Sequence, residues 1–486
     1  MGRKRQQVSG KQLDLFDEAL QASLGHGVPG EGGTGTGACA ARQAPTAWDQ
    51  NRALTQHLLE EVTSSANMNR AYKRVKANGG AAGVDGMTVA GLRSWLAENR
   101  EKLIISLLDG SYRPQPVRGV EIPKPGGAGM RQLGIPTVVD RLVQQAITQV
   151  LEPILDPSFS ASSFGFRPGR GAHDALRQAR EYVADGYGIV VDLDLEKFFD
   201  RVNHDILMSR LARRVGDKRL LRLIRRFLQA GMMAAGVRIE RQEGTPQGGP
   251  MSPLLANLLL DELDKELERR GHRFCRYADD CNIYVRSAAA GERVMASVTR
   301  FLETRLHLKV NQAKSAVAPV GERQFLGHRL REDGSLGLGP KSLARVKERL
   351  RRITRRNRAV ALDRMIAEVN AFTTGWVTYF RDADCQTALR DLDGWLRRKL
   401  RCVRLVQCKR ATGIATFLRG NGVPRQRAWI TAGSGKGWWR MANSPAAKEA
   451  MPIAWFAALA LVAMRDYHAA LTAIGNRRIR EVRPVV

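Results

Sequence analysis

Two acidic residues stand side by side at Asp279-Asp280, between two runs of residues that favour β-strands. The run Phe274–Tyr277 precedes the pair and the run Cys281–Val285 follows it. This pattern predicts a β-hairpin with Ala278-Asp279-Asp280 as its connection. Neighbouring negative charges repel each other, so a protein that keeps them together usually supplies a cation or an exposed turn. The pair alone is compatible with an ordinary polar turn. A third functional side chain elsewhere in the sequence is needed before the pair indicates a catalytic or metal site.

A candidate partner interrupts an apolar strand upstream. The segment GIVVDLDL at residues 188–195 alternates so that Asp192 and Asp194 share one face and the apolar residues share the other. A carboxylate at the end of a buried strand is costly unless it is paired or bound to a metal. If this strand lies beside the hairpin, Asp194 converges with Asp279 and Asp280. Three converging carboxylates suit a hard divalent cation.

Blocks of sequence around these acids occur in an order that resembles reverse transcriptases, most closely the bacterial group II intron reverse transcriptase/maturases. The blocks are IPKPGGAGMRQLGIPTVVDRLVQQAI (122–147), SFGFRPGRGAHDAL (163–176), DLEKFFDRVNH (194–204), GTPQGGPMSPLLANLLLDELD (244–264), YADD (277–280), LHLKVNQAKS (306–315) and FLGH (325–328). The likeness continues with GWVTYFR (375–381) and WLRRKLR (395–401). It covers roughly residues 50–486 of the chain.

The resemblance implies a catalytic set of Asp194, Asp279 and Asp280. It also implies two Mg²⁺ ions, with Mn²⁺ as a substitute, held by Asp194, Leu195, Asp279 and Asp280. Two ions about 4 Å apart clamp the attacking and leaving oxygens of a phosphoryl transfer.

The same resemblance implies five nucleotide contacts. Lys124 and Arg131 match the cations that hold the triphosphate, Arg as a fork and Lys as a point charge. Phe199 matches an aromatic residue beneath the sugar that excludes a 2′-hydroxyl, although packing beside its neighbour Phe198 is the alternative. Gln247 lies against the incoming nucleotide and template, and Lys314 assists the leaving pyrophosphate.

The loop before one predicted helix has a composition suited to close backbone approach. In Pro246-Gln247-Gly248-Gly249 the glycines lack side chains that would keep a ligand away. The following Ser252-Pro253 is typical of a helix start, with Ser252 expected as the N-cap and Pro253 in the first turn.

The charge of the chain points to a polyanionic partner. Its 486 residues include 78 Lys and Arg against 48 Asp and Glu, a formal net charge of +30. Residues 341–486 alone hold 30 basic against 10 acidic residues, a net charge of +20. This excess favours nucleic acid or an anionic membrane surface. The apolar run 453–464 is too short to span a bilayer, which takes about 20 residues, and is expected to form a buried helix.

A strongly basic segment follows Pro340. Residues 341–358 are expected to form a helix, because Leu343, Val346, Leu350 and Ile353 recur at helical spacing. Most of the other positions are Arg or Lys. The expected RNA-binding residues are Arg345, Lys347, Arg351, Arg352, Arg355 and Arg356. Further along, Trp438 and Trp439 either stack on RNA bases or pack in a core.

The implied fold class is α+β. A right-hand polymerase, whose fingers and palm carry an antiparallel sheet, precedes an α-helical thumb and maturase domain. The expected boundaries are a disordered N-terminal extension (1–46), an N-terminal extension with fingers (47–160), the palm with the remaining fingers elements (161–335), the thumb and maturase domain (336–420) and a C-terminal DNA- or RNA-binding region (421–486).

The implied function is RNA-directed DNA polymerisation together with splicing and retrohoming of a group II intron. The expected partners are the intron RNA, an RNA template with a DNA primer, deoxynucleoside triphosphates and target DNA, with no membrane. The expected location is the bacterial cytoplasm, at the nucleoid when DNA is the target. None of the six cysteines forms a CxxC pair, so the endonuclease-lacking type is expected.

Two alternatives remain open from the sequence. One is a domesticated or defence-associated reverse transcriptase without an intron. The other is an RNA-binding splicing factor whose polymerase site is vestigial, against which the intact set of three aspartates argues.

Overall fold

The computed structural model describes residues 55–123, 129–234, 237–240 and 243–481. The chain divides into two compact units. The first comprises residues up to Tyr182 together with Tyr187–Ala318, and the second comprises Val183–Gly186 together with Pro319–Val486. The extension 1–46 that the sequence predicts to be disordered lies outside the described residues, as does Lys124.

The described part of the first unit is a mixture of helices and short strands. Its helices are α1 (Leu58–Thr63), α2 (Ser65–Asn78), α3 (Leu92–Leu108), α4 (Val138–Leu155), α5 (Ala172–Ala184), α6 (His204–Ala212), α7 (Lys218–Gln229), α8 (Ser252–Arg269) and α9 (Ala288–Phe301). Its strands are β1 (Val117–Pro123), β2 (Met130–Ile135), β3 (Ile189–Leu193), β4 (Met232–Ala234), β5 (Val237–Ile239), β6 (Arg273–Tyr277), β7 (Asp280–Val285) and β8 (Ala316–Pro319).

One sheet carries the acidic residues and has the strand order β6-β7-β3-β8. Strand β7 pairs antiparallel with both neighbours, and Leu193 of β3 lies opposite Cys281 of β7. The strand with Asp192 therefore lies beside the hairpin, as the sequence predicts. A second sheet has the order β2-β1-β4-β5, in which β1 and β4 run parallel.

The predicted hairpin is confirmed, with a connection one residue shorter than expected. Asp280 already belongs to β7, where it pairs with Tyr277, so the turn consists of Ala278 and Asp279 alone. Ala278 has a φ of 60°. A positive φ at the first central position matches the twist of two-residue hairpin loops.

Helix α8 packs its leucines into the core of the first unit, because Leu255, Leu259 and Leu263 recur at helical spacing and are buried. The expected N-cap role of Ser252 is wrong. Met251 is the N-cap, and Ser252 is the first helical residue. The Ser252 hydroxyl donates instead to the carbonyl of Pro246 at 2.8 Å, so it ties the helix to the preceding loop.

The described part of the second unit is mainly helical. Its strands are β9 (His328–Leu330) and β10 (Leu336–Leu338), which form an antiparallel pair. Its helices are α10 (Pro340–Ile353), α11 (Leu362–Tyr379), α12 (Gln386–Gln407), α13 (Ala411–Gly420), α14 (Arg425–Ala432), α15 (Trp438–Met441), α16 (Pro445–Ala450), α17 (Ile453–Ala458) and α18 (Met464–Glu481).

The basic helix is confirmed but ends earlier than expected. In α10 the residues Val346, Leu350 and Ile353 are buried, as the apolar spacing predicts. The helix stops at Ile353 instead of continuing to residue 358. The Thr354 hydroxyl donates to the Leu350 carbonyl at 2.7 Å, and such side-chain bonds compete with continued helical pairing.

The expectation of a buried helix over 453–464 is wrong. Helix α17 ends at Ala458, because Ala460 has a left-handed φ of 58°. Ile453 is 64% exposed, while Phe456 is buried. Within the described residues, none of the helices combines the length and the apolar character that crossing a membrane requires.

Candidate active site

Asp194 lies just beyond β3 and is held by the segment that follows α9. The side-chain amide of Asn311 donates to Asp194 Oδ2 at 3.0 Å, and the Lys314 ammonium lies 3.1 Å from the same oxygen. The backbone of Asp194 is fixed as well, by the hydroxyl of Ser315 and the N–H of Asn311. Three residues of the LHLKVNQAKS block therefore hold Asp194, two of them through its carboxylate and one through its backbone.

Asp279 lies at the tip of the β6–β7 hairpin. Partial burial raises the pKa of its carboxyl, and the charge of Asp194 raises this pKa further. The charges of Arg131 and Lys314 act in the opposite direction. Because Leu193 pairs with Cys281, Asp194 comes next to the turn of the hairpin, so Asp194 and Asp279 lie near each other although they are far apart in the chain. Their partly buried negative charges favour a cation between them.

The two converging carboxylates offer hard oxygen donors, and the ammonium of Lys314 already supplies positive charge at Asp194. Carboxylate oxygens are the donors that a divalent cation takes, but Lys314 lies on Asp194 Oδ2 in this structure. Among the described residues, no three acidic, His or Cys side chains are close enough to enclose a metal ion. Asp280 begins β7, and the side chain of Leu195 is buried while its backbone pairs with Val310. Metal binding by Asp194, Leu195, Asp279 and Asp280 stays a prediction.

A cavity of about 710 Å³ adjoins Asp279. The predicted nucleotide contacts Arg131, Phe199 and Gln247 line it together with Asp279. The structure thus brings together residues from β2, from the segment after β3, from the loop before α8 and from the hairpin. Lys314 does not line this cavity, because its ammonium is on Asp194.

The loop before α8 contacts β2 through its backbone. The N–H of Gly134 donates to the carbonyl of Gln247 at 2.9 Å. Gly248 has a φ of 124°, and a Cβ at this position would lie 2.9 Å from the Gly134 carbonyl oxygen. A side chain would therefore force the loop away from β2 and from the cavity that Gln247 lines.

Two protein families match this chain, and together they cover most of residues 122–419. Residues 122–330 match the family described as reverse transcriptase (RNA-dependent DNA polymerase). Residues 343–419 match the group II intron, maturase-specific domain. Protein YkfC of Escherichia coli (strain K12) is 34% identical over 57% of this chain and 83% of its own length. The chain belongs to the group II intron reverse transcriptase/maturase family.

Two further relatives show how far the likeness extends. Group II intron-encoded protein LtrA of Lactococcus lactis subsp. cremoris is 40% identical over 40% of this chain, but the match spans 32% of LtrA. A solved structure, the partial Cas6-RT-Cas1–Cas2 complex, matches 51% of this chain and 43% of that chain at 28% identity. Its TM-score of 0.35 is too low to support an argument about the fold.

Family membership confirms several predictions. The chain is a reverse transcriptase with a maturase region, and its class is RNA-directed DNA polymerase. The α+β fold class, with an antiparallel sheet under the acids and a helical region after it, is confirmed. Enzymes of this family use divalent metal ions and act on nucleic acid. The individual site residues and the domain boundaries stay predictions.

The reverse transcriptase site contains a buried arginine whose role the sequence did not reveal. Arg276 lies in β6 directly before the YADD motif and is fully buried. Its guanidinium forms a bidentate ion pair with Asp264, at 2.7 and 2.5 Å. The remaining donors bind Asn257 Oδ1 at 3.0 Å, the Ala278 carbonyl at 2.9 Å and the Ser163 hydroxyl at 2.8 Å.

Arg276 therefore connects three of the blocks, because Asp264 and Asn257 lie on α8, Ser163 begins the SFGF segment and Ala278 lies in the turn. A signal was present in the sequence: a cation that interrupts an otherwise apolar strand must find buried acceptors. Arg74 and Arg141 also line the 710 Å³ cavity, and no local pattern pointed to either of them.

The predicted RNA-binding residues lie in the second unit. Arg345, Lys347, Arg351 and Arg352 are on α10, and Arg352 pairs with Glu348 one turn earlier. Arg355 and Arg356 lie beyond the end of the helix and are exposed.

Proposed function

We propose that this reverse transcriptase copies RNA into DNA at the β6–β7 hairpin, with Asp194, Asp279 and Asp280 as the catalytic carboxylates. The observation that carries the proposal is the convergence of Asp194 and Asp279 at the edge of a cavity lined by Arg131, Phe199 and Gln247. The charge of Asp194 raises the pKa of the Asp279 carboxyl, and a bound cation would relieve this repulsion; an adjoining cationic cavity suits a triphosphate.

Two Mg²⁺ ions, with Mn²⁺ as a substitute, would be held by the aspartates together with Leu195. When bound, they supply positive charge that activates the primer hydroxyl and stabilises the leaving pyrophosphate. In this proposal Asn311 keeps the Asp194 carboxylate in one orientation, and Ser315 holds the backbone of Asp194. Lys314 neutralises part of the charge on Asp194 and would assist the leaving pyrophosphate, as the family resemblance implies.

The incoming deoxynucleotide would occupy the 710 Å³ cavity. Arg131 binds phosphate oxygens as a fork, with Lys124 as a second cation. Phe199 packs edge-on against Phe198, with ring centroids 5.1 Å apart, which limits how far the Phe199 ring can turn. A ring held in this way is suited to support the sugar. Gln247 contacts the nucleotide or template from the loop before α8.

The basic second unit would hold RNA. We propose that Arg345, Lys347, Arg351, Arg352, Arg355 and Arg356 contact the phosphates of a group II intron RNA. Splicing of that intron, priming at a DNA target and retrohoming follow from the same proposal. A cytoplasmic location, with association to the bacterial nucleoid, stays a prediction.

The test is primer extension on an RNA template with deoxynucleoside triphosphates and Mg²⁺. The wild-type chain should make cDNA, and Asp279→Ala/Asp280→Ala should reduce the yield by several orders of magnitude. Glu292→Gln, which removes an exposed acid from α9 in the same unit, should behave as wild type. A wild-type chain that binds RNA but makes no magnesium-dependent cDNA would reject the polymerase and favour the splicing factor with a vestigial site.

A further inference from the structure

The second unit contains a cavity of about 780 Å³ that the proposed reaction does not use. One wall is the end of α10 with the four residues after Ile353. A second wall is the face of α12 that carries Lys399, Cys402 and Val406 at helical spacing. The third wall is Trp438 and Trp439 at the start of α15, which lie beyond the matched maturase-specific domain.

The cations of this cavity lack an acidic counterpart in the part of the chain that the structure describes. Among the described residues, no carboxylate lies within 4 Å of the cationic groups of Arg351, Arg355, Arg356 or Lys399, all of which line the cavity. By contrast, Arg352 pairs with Glu348. Like charges gathered around one cavity repel each other, and a bound anion relieves that repulsion. Burial lowers the pKa of Lys399, and the charges of Arg351 and Arg356 lower it further.

The tryptophans are held in place by α12, and a cation of that helix covers part of the Trp439 ring while the rest of the ring stays exposed. Arg398 donates from Nε and Nη2 to the Trp439 carbonyl, at 3.0 and 2.8 Å, and its guanidinium carbon lies 3.9 Å from the indole centroid. The Cys402 thiol donates to the Trp438 carbonyl at 3.4 Å. Trp439 nevertheless remains 39% exposed. The backbone bonds and the contact with Arg398 restrain Trp439, and the exposed part of its indole offers a surface on which a base can stack.

We propose that this cavity binds one unpaired nucleotide of a single-stranded nucleic acid. Trp439 stacks on the base, and Arg355 and Arg356 bind the neighbouring phosphates. The combination of an exposed aromatic surface with cations that lack carboxylate partners is how proteins hold single strands. A volume of 780 Å³ lies within the range of about 300–1,000 Å³ that is usual for sites of nucleotide-sized ligands. This proposal rests on the proposed function, because it takes nucleic acid as the ligand of the second unit.

Two strands could supply this nucleotide, the RNA that the enzyme binds or a single strand of its DNA target. Both have bases and phosphates of the same chemistry, so either strand could place a nucleotide in the cavity, and the experiment below distinguishes them. A simple packing role for the tryptophans predicts no preference between single and double strands, because packing involves no base.

The test measures the affinity of the full chain for three labelled ligands of equal length: oligouridylate, oligodeoxyuridylate and an RNA duplex. Trp439→Ala should weaken binding to at least one of the single strands by about tenfold or more, the scale of one stacked base. Duplex binding should change little. Trp439→Phe, which keeps an aromatic ring, should recover part of the loss. The strand with the larger loss identifies the source.

Matched controls separate the cavity from general effects of charge and surface. Trp429→Ala removes an indole that is 43% exposed and does not line the cavity, so it should leave all three affinities unchanged. Lys341→Ala/Arg349→Ala removes two exposed cations of α10 outside the cavity. It should weaken single-strand binding by less than Arg355→Ala/Arg356→Ala, since only the latter pair contacts the nucleotide.

Either of two results overturns the inference. In one, Trp439→Ala loses no more single-strand affinity than Trp429→Ala does. In the other, Trp439→Ala loses equal affinity for the duplex and for the single strands. Wild-type primer extension is measured separately. If primer extension fails but Trp439→Ala still weakens single-strand binding more than duplex binding, only the proposed polymerase function is rejected. If primer extension succeeds but Trp439→Ala shows no such difference, only the cavity assignment is rejected.

Discussion

Arg276 shows how one side chain holds the catalytic turn. All five of its N–H donors have acceptors, and two of those acceptors belong to the buried carboxylate of Asp264. The Ala278 carbonyl is one of the others, so the guanidinium is attached directly to the turn that presents Asp279. We regard Arg276 as a positioning residue, because its polar contacts are with the protein and not with the cavity.

Replacing Arg276 should therefore affect both stability and catalysis. Arg276→Met leaves the Asp264 carboxylate buried without a partner, so the free energy of unfolding should fall by about 3–5 kcal/mol. Arg276→Met/Asp264→Leu removes the unpaired charge and should regain much of that stability. Urea unfolding of the single and double variants measures this. A double variant as unstable as the sum of both single variants would contradict it.

The double variant also separates positioning from stability. If Arg276 sets the turn, a refolded and stable double variant should still show a reduced kcat in primer extension with KM for the nucleotide little changed. Wild-type kcat in the double variant would reduce Arg276 to a purely structural role.

At the scale of single residues, Asp140 also predicts how stability depends on pH. The side chain is 1% exposed and accepts hydrogen bonds from the Tyr112 and Thr137 hydroxyls, at 2.8 and 2.7 Å. Burial raises its pKa from the ordinary 3.8 to about 6, against the effect of these bonds. The folded state therefore binds this proton more tightly, so the contribution of Asp140 to stability is full below about pH 4 and is lost as the pH rises through 6.

Asp140→Asn removes this titration. The stability of wild type relative to Asp140→Asn should decline between about pH 4 and pH 7, by an amount on the order of 3 kcal/mol. Urea midpoints of both proteins across this pH range test the prediction. A difference that is constant or grows with pH would show that Asp140 is not the titrating group.

At the scale of elements, the hairpin depends on a glycine in the neighbouring SFGF segment. The N–H of Phe164 donates to the Arg276 carbonyl at 2.9 Å, which brings the next residue against the turn. A Cβ on Gly165 would lie 2.3 Å from the backbone nitrogen of Ala278. Real Cβ atoms do not approach backbone so closely, so a side chain here must displace either the segment or the hairpin.

Gly165→Ala should therefore move Asp279 and lower primer extension by about 10–100-fold, since small misplacements of reacting groups carry large costs. Gly188→Ala is the matched control, because a Cβ there meets nothing within 4 Å. It precedes β3 in the same sheet and should keep wild-type activity. Equal activity of both variants would show that the hairpin tolerates the shift.

At the scale of the whole molecule, the acids and the excess positive charge reside in different units. Asp194, Asp279 and Asp280 lie in the first unit, and the segment 341–486 with its net charge of +20 lies in the second. Electrostatic attraction to phosphates supplies most of the non-specific affinity of such proteins. RNA binding should accordingly survive the loss of the catalytic acids.

The Asp279→Ala/Asp280→Ala variant should bind RNA at least as tightly as wild type, because it removes two negative charges. Filter binding across a series of salt concentrations measures both the affinity and its salt dependence, which should be unchanged. A tenfold weaker affinity would mean that RNA is held mainly at the hairpin, contrary to the proposed division of roles.

The sequence by itself determined what local chemistry encodes. Alternation predicted β3, the β-prone runs predicted the hairpin, and helical spacing predicted α10, because each pattern lies within a few residues of chain. The order of the blocks predicted the family. The sequence patterns predicted the ends of helices less well than their centres. A single hydrogen bond from Thr354 or Ser252, or the left-handed backbone angle of Ala460, moved a helix end or a cap away from the predicted residue.

Only the tertiary structure decided which side chains meet. Lys314 reaches Asp194 across 120 positions of sequence, and Ser163 reaches Arg276 across 113. The same holds for the cations and tryptophans of the 780 Å³ cavity, which come from α10, α12 and α15. No local pattern encodes such pairs, because the packing of whole helices and strands sets their distances.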